Sequence, residues 1–171
     1  MTKTRLAKTG ALAALLAATL PAGAWPHCQV PCGIYGDYMR FDMIAEHIAT
    51  LEKSMRTIGG LSEETEKNHN QIVRWVNNKD RHADELSHIV TYYFMAQRVK
   101  PAGDSDAKAR AAYLKKLELL HGMLVRAMQA KQTTDLGHIE ALRGLLEDFR
   151  EAYFGTDGEK HLKEHHGGGK P

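Results

Sequence analysis

In Phe41-Asp42-Met43-Ile44-Ala45-Glu46-His47-Ile48-Ala49-Thr50-Leu51-Glu52-Lys53-Ser54-Met55-Arg56-Thr57-Ile58 the apolar residues Phe41, Ile44, Ile48, Leu51, Met55 and Ile58 recur at alternating steps of three and four. That spacing lays one narrow apolar seam along a helix. Met43 and Met55 read as packing residues of the same helix. Gly59-Gly60 follows and predicts a stop, because glycine tolerates a left-handed cap and disfavours a helix interior. Ser62 is then placed to cap the next helix, with Glu63 and Glu64 complementing its dipole.

Three further patterns lie downstream. The second helix is expected from about Ser62 to Arg98, limited by Pro101, with Ile72, Trp75, Val76, Leu86, Ile89, Val90, Tyr93 and Phe94 as its apolar residues. Inside it stands the polar run Asn77-Asn78-Lys79-Asp80-Arg81-His82. Either the helix breaks there in a solvated turn, or one of these side chains faces inward and meets a polar partner. A third seam reads Ala109, Tyr113, Leu117, Leu120, Leu124 and Ala127, with Asp104, Ser105 and Asp106 as capping candidates. Thr133-Thr134-Asp135 opens a fourth, through Leu136, Ile139, Leu142, Leu146, Phe149 and Tyr153. No segment shows sustained strand alternation. The fold class is all-α, an up-down-up-down four-helix bundle over residues 36–155, since each stripe must be buried against the others. Residues 156–171, rich in His and Gly, are expected to form a flexible tail.

Ahead of the bundle, Lys3, Arg5 and Lys8 precede the apolar run 11–20, and Pro21-Ala22-Gly23-Ala24 follows. This three-part pattern reads as a secretory signal peptide over residues 1–24, with processing extending to 26 if a second trimming step follows. The apolar run is too short to span a bilayer, so no membrane contact is expected of the mature form. The expected compartment is periplasmic or extracellular. The first 26 residues hold three bases and no acid, which leaves 20 basic against 21 acidic side chains in the remainder. That balance carries no nucleic-acid footprint. About 145 mature residues suit one domain with one core.

The chemistry concentrates in His27-Cys28-Gln29-Val30-Pro31-Cys32-Gly33-Ile34-Tyr35, which holds both cysteines of the chain. Two thiolates four residues apart, brought together by a turn over Pro31, can occupy neighbouring positions on one metal. With a neighbouring imidazole they form a mixed nitrogen and sulfur set that suits zinc, copper or nickel and excludes calcium and magnesium. If His27 is the first residue of the mature chain, its α-amine and the amide nitrogen of Cys28 can complete a square plane with the two thiolates. That plane suits nickel better than zinc, which prefers a tetrahedral structural site. Against this stands a disulfide between Cys28 and Cys32, favoured by export. His47, His69, His82, His88, His121 and His138 are scattered along the helical patterns and read as surface or core residues.

The sequence His-Cys-x-x-Pro-Cys-Gly-x-Tyr, followed by an all-helical body, resembles the nickel-containing superoxide dismutases. The resemblance implies a four-helix subunit in a homohexamer, with one nickel ion per subunit, converting two superoxide anions and two protons to dioxygen and hydrogen peroxide. It implies His27, Cys28 and Cys32 as metal ligands, Pro31 as the residue shaping the turn, and Tyr35 as the catalytic residue at the anion entrance. It implies that Arg81 helps hold the ligand imidazole. The family carboxylate expected to share that task falls on Met43, with Asp42 and Glu46 nearby. Positive potential near Lys79 and Arg81 is expected to guide superoxide. A signal cleavage after Ala24 leaves Trp25-Pro26 ahead of His27, so either a second trimming step or direct cleavage after Pro26 is expected, with a maturation protease as a partner. Two other functions compete: an exported nickel or copper delivery protein without turnover, and a thiol-disulfide protein using Cys28 and Cys32. The last is weakest, because the spacing is C-x-x-x-C and no βαβ pattern surrounds it.

Overall fold

The computed structural model describes residues 36–103 and 105–166, with side chains as far as 155. Its elements are α1 (Asp37–Glu63), α2 (His69–His88) running on into a π-helical segment (Ile89–Arg98), α3 (Ala107–Gln132) and α4 (Gly137–His166). All the described secondary structure is helical. α1 packs chiefly on α2 and also on α4, and α3 packs on both α2 and α4, which closes the ring. The start of α1 meets the end of the π segment and the distal part of α4, as the Asp37–Tyr93 and Asp37–Tyr153 hydrogen bonds record. Short connections between antiparallel neighbours give the expected four-helix bundle. Among the described residues no helix is long and apolar enough to cross a membrane.

The α1 seam is buried at each of its six positions, with Ser54 beside it. Gly59-Gly60 does not end the helix, which runs on to Glu63. Neither glycine has a positive φ, and burial of the seam just before them outweighs their poor helix propensity. Ser62 does not cap α2; its hydroxyl donates back to the Ile58 carbonyl at 2.7 Å. Asn68 takes that role, its side chain accepting from the Gln71 amide at 3.1 Å.

The polar run does not break α2. Lys79 turns inward to 3% exposure. The helix reaches Arg98 as expected, but its last ten residues are π-helical, and Ile89, Val90, Tyr93 and Phe94 all reach the core. The Val99 amide closes this segment on the Phe94 carbonyl at 2.8 Å.

In α3 the cap is Asp106, accepting from the Ala109 amide at 2.9 Å. The buried line differs from the expected one: Leu119, Leu120, Met123, Ala127 and Ala130 are inside, and Ala109 is exposed. The first turns of α3 carry little buried surface, and Tyr113, Leu117 and Leu124 pack at the edge of the core. α4 buries Ile139, Leu142, Leu146 and Phe149 as expected. Gly155 interrupts it at φ 71°, ψ 174°, a conformation essentially confined to glycine. Past this break the helix bounds extend to His166, where the sequence suggested a tail without a helical stripe.

One end of the core is aromatic. Phe41 and Phe94 meet edge to face at 4.9 Å between ring centroids, and Phe149 stands 5.3 Å from Phe41. Tyr153 and Phe154 extend the cluster. This is the end at which α1 begins, directly after the cysteine-bearing stretch.

Candidate metal centre

The segment that would hold the metal enters the described structure at Gly36. His27, Cys28, Pro31, Cys32 and Tyr35 lie outside the described residues. What the structure does show is how firmly the chain is held where it leaves them. Gly36 takes the extended N-cap conformation and Asp37 occupies the first turn of α1, where its charge complements the helix dipole. The Asp37 carboxylate accepts the Tyr93 hydroxyl at 2.6 Å and the Tyr153 hydroxyl at 2.9 Å, one on each oxygen. Arg98 pairs with it at 2.9 Å and donates to the Tyr93 hydroxyl at the same distance. Burial first, then the hydrogen bond to Asp37, pushes both tyrosine hydroxyls above their ordinary range. The hydrogen bond to Tyr93 is the main cause raising the Arg98 guanidinium.

These four residues come from α1, the π segment and α4, so the first turn of α1 is tied to two neighbours. No motif in the sequence marks Asp37, Tyr93 and Arg98 as partners. The only signal was an acidic residue at a helix start, which the dipole explains without partners.

Arg81 is exposed on α2 and donates to the Asn78 side-chain oxygen at 3.0 Å, one turn back on its own helix. Met43 is half-buried against the core and its sulfur receives Arg40 Nη1 at 3.3 Å. Asp42 and Glu46 are exposed. Lys79 is not available to guide an anion. Its ammonium donates to the carbonyls of Ala130 (2.8 Å), Lys131 and Thr133 (3.2 Å). These groups lie at the C-terminal end of α3, where helix carbonyls lack intrahelical partners. Burial lowers the Lys79 pKa, and the nearby Asp80 opposes that shift.

A four-helix subunit with two thiolates and an imidazole immediately before its first helix belongs to the class of small redox-capable metalloproteins. The donor chemistry of His27, Cys28 and Cys32 fits nickel, because soft anionic sulfur and nitrogen favour a square-planar ion over a hard one. The family model for nickel-containing superoxide dismutase matches residues 21–157, and the chain belongs to that family. No curated protein and no solved structure matched the chain.

Membership fixes the activity: a nickel-dependent superoxide dismutase that turns two superoxide anions and two protons into dioxygen and hydrogen peroxide, with one nickel ion per subunit. When bound, nickel would supply the electron exchange that this reaction needs. Metal delivery without turnover is not favoured.

Proposed function

We propose that His27, Cys28 and Cys32 hold the nickel, that Pro31 shapes the turn between the two thiolates, and that Tyr35 lines the entrance for the small anion and orders water or peroxide there. In this reading His27 contributes its α-amine and imidazole, and Cys28 its thiolate and backbone nitrogen. The α-amine exists only if the mature chain begins at His27. Residues 1–24 therefore act as an export signal, and a maturation protease removes Trp25-Pro26. The working protein is periplasmic or extracellular and assembles as a homohexamer. Arg81 helps orient the ligand imidazole across the assembled site, and its surface position on α2 leaves it accessible for that contact.

The observation that carries this reading is the anchoring of Asp37, two residues beyond Tyr35, by Tyr93, Tyr153 and Arg98. A metal loop of nine residues gains little from its ligands unless its exit is fixed, because positioning is the protein's main contribution to such a site. The test compares two nickel-reconstituted chains, one beginning at His27 and one at Trp25. Superoxide consumption by the first alone supports the terminal-amine site. Equal activity in both contradicts it.

A further inference from the structure

Away from the cysteine-bearing stretch, the packing of α1 on α2 brings together two histidines that the sequence pattern treated as ordinary surface or core residues. The Nδ1 atoms of His47 and His82 lie 2.9 Å apart. Glu85 Oε2 is 3.7 Å from the first and 4.0 Å from the second. One ligand atom from each of the three residues therefore falls within 4.8 Å of the others. His82 and Glu85 are three apart on α2 and so share a face, while His47 comes from the facing side of α1.

We propose that His47, His82 and Glu85 form a second metal site, for a divalent ion of the zinc, copper or nickel class, which clips α1 to α2. Ligand nitrogens about 2.0–2.1 Å from a metal stand about 2.9 Å apart at a right angle and about 3.4 Å apart at a tetrahedral angle. The observed imidazole pair already has the first spacing. It needs only a small opening for the second.

Glu85 supplies the adjustable ligand. Its side chain is 50% exposed, against 12% for His47 and 20% for His82, so its carboxylate can close on an ion that the two rings define. Two imidazoles and one carboxylate are borderline donors, which fits the late first-row ions and not calcium or magnesium, whose sites are built from oxygen. Three protein ligands on the rim of the helix pair leave the remaining positions to water. Without metal, the two facing nitrogens share a single proton between them as an N–H···N hydrogen bond. With metal, both become ligands and the protons reside on Nε2.

The test uses the full chain carrying Cys28→Ser and Cys32→Ser, which silences the thiolates, titrated with zinc chloride by calorimetry and followed by thermal unfolding. One equivalent of zinc should bind with a rise in melting temperature. Adding His82→Gln should remove that equivalent and the rise. Losing even an outer-shell partner costs a metal site about tenfold in affinity or more, so adding Glu85→Gln should weaken the same equivalent at least that far. Glu85 is exposed, so its replacement should change the metal-free melting temperature little. Absence of zinc binding to the parent overturns the site and leaves the histidine pair as a helix contact. Binding and stabilisation that survive both added substitutions overturn it equally, by placing the zinc elsewhere.

Discussion

The Lys79 ammonium, buried within the bundle, donates to the Ala130 carbonyl at 2.8 Å across 51 residues of sequence. The same nitrogen reaches the carbonyls of Lys131 and Thr133, so one side chain of α2 caps the end of α3. Replacing Lys79 with Met keeps much of the volume and removes the donor. Buried acceptors left without a partner cost about 1–3 kcal/mol, and contacts to charged groups lie at the upper end. Lys79→Met should lose about 2–3 kcal/mol in urea unfolding. A loss within about 0.5 kcal/mol, the usual scatter for surface changes, would show that water replaces the lysine at no cost.

That contact also marks the boundary of what the sequence could reveal. The α1 seam was legible because Phe41 to Ile58 recur at helical spacing, and a candidate metal-binding segment stood out because both cysteines sit within one short run, although that segment lies outside the described residues. The inward side chain of the polar run was legible only as one of two outcomes. Nothing near Lys79 announces carbonyls fifty residues away. The π segment was invisible for a related reason: Ile89, Val90, Tyr93 and Phe94 fit an α-helical stripe equally well. The Gly59-Gly60 stop failed because local propensity of about 1 kcal/mol per glycine was set against the burial of a whole helix face. His47 and His82 carry no motif, and only the docking of α1 on α2 makes them neighbours.

The two glycines also define a route to greater stability. Gly60 is exposed, its φ is not positive, and a Cβ built there meets no atom within 4 Å. Alanine at this position keeps the helix and restricts the unfolded chain. Gly60→Ala should raise the unfolding free energy by about 0.5–1 kcal/mol. A drop instead would mean that α1 ends before this residue in solution.

Alkaline stability should report the Asp37 cluster. Tyr93 and Tyr153 hold their protons above the ordinary tyrosine value of 10.0 in the folded state, chiefly through burial. In that range the folded chain binds more protons than the unfolded chain, so stability falls as pH rises. It is fully present below about pH 10 and is lost above it. A urea-midpoint series from about pH 8 to about pH 11 should therefore decline, and Tyr153→Phe should make that decline shallower. Tyrosinate absorbance should show two hydroxyls that ionise later than the rest. Parallel curves for the wild type and the Tyr153→Phe variant would remove Tyr153 as a contributor.

The ligand assignment separates into thiolate and tyrosine roles, and the two can be read independently. Serine is isosteric with cysteine but offers a hard, weakly acidic oxygen in place of a soft thiolate. Cys28→Ser or Cys32→Ser should therefore abolish superoxide turnover, with circular dichroism of the bundle unchanged because both positions precede the helical seams in sequence, which begin at Phe41. Tyr35→Phe keeps the ring and removes only the hydroxyl. Nickel content measured by atomic absorption should stay at one per subunit, while turnover or sensitivity to peroxide changes. Loss of nickel in Tyr35→Phe would give the hydroxyl a part in holding the metal, and near-normal turnover in either serine variant would remove that thiolate from the ligand set.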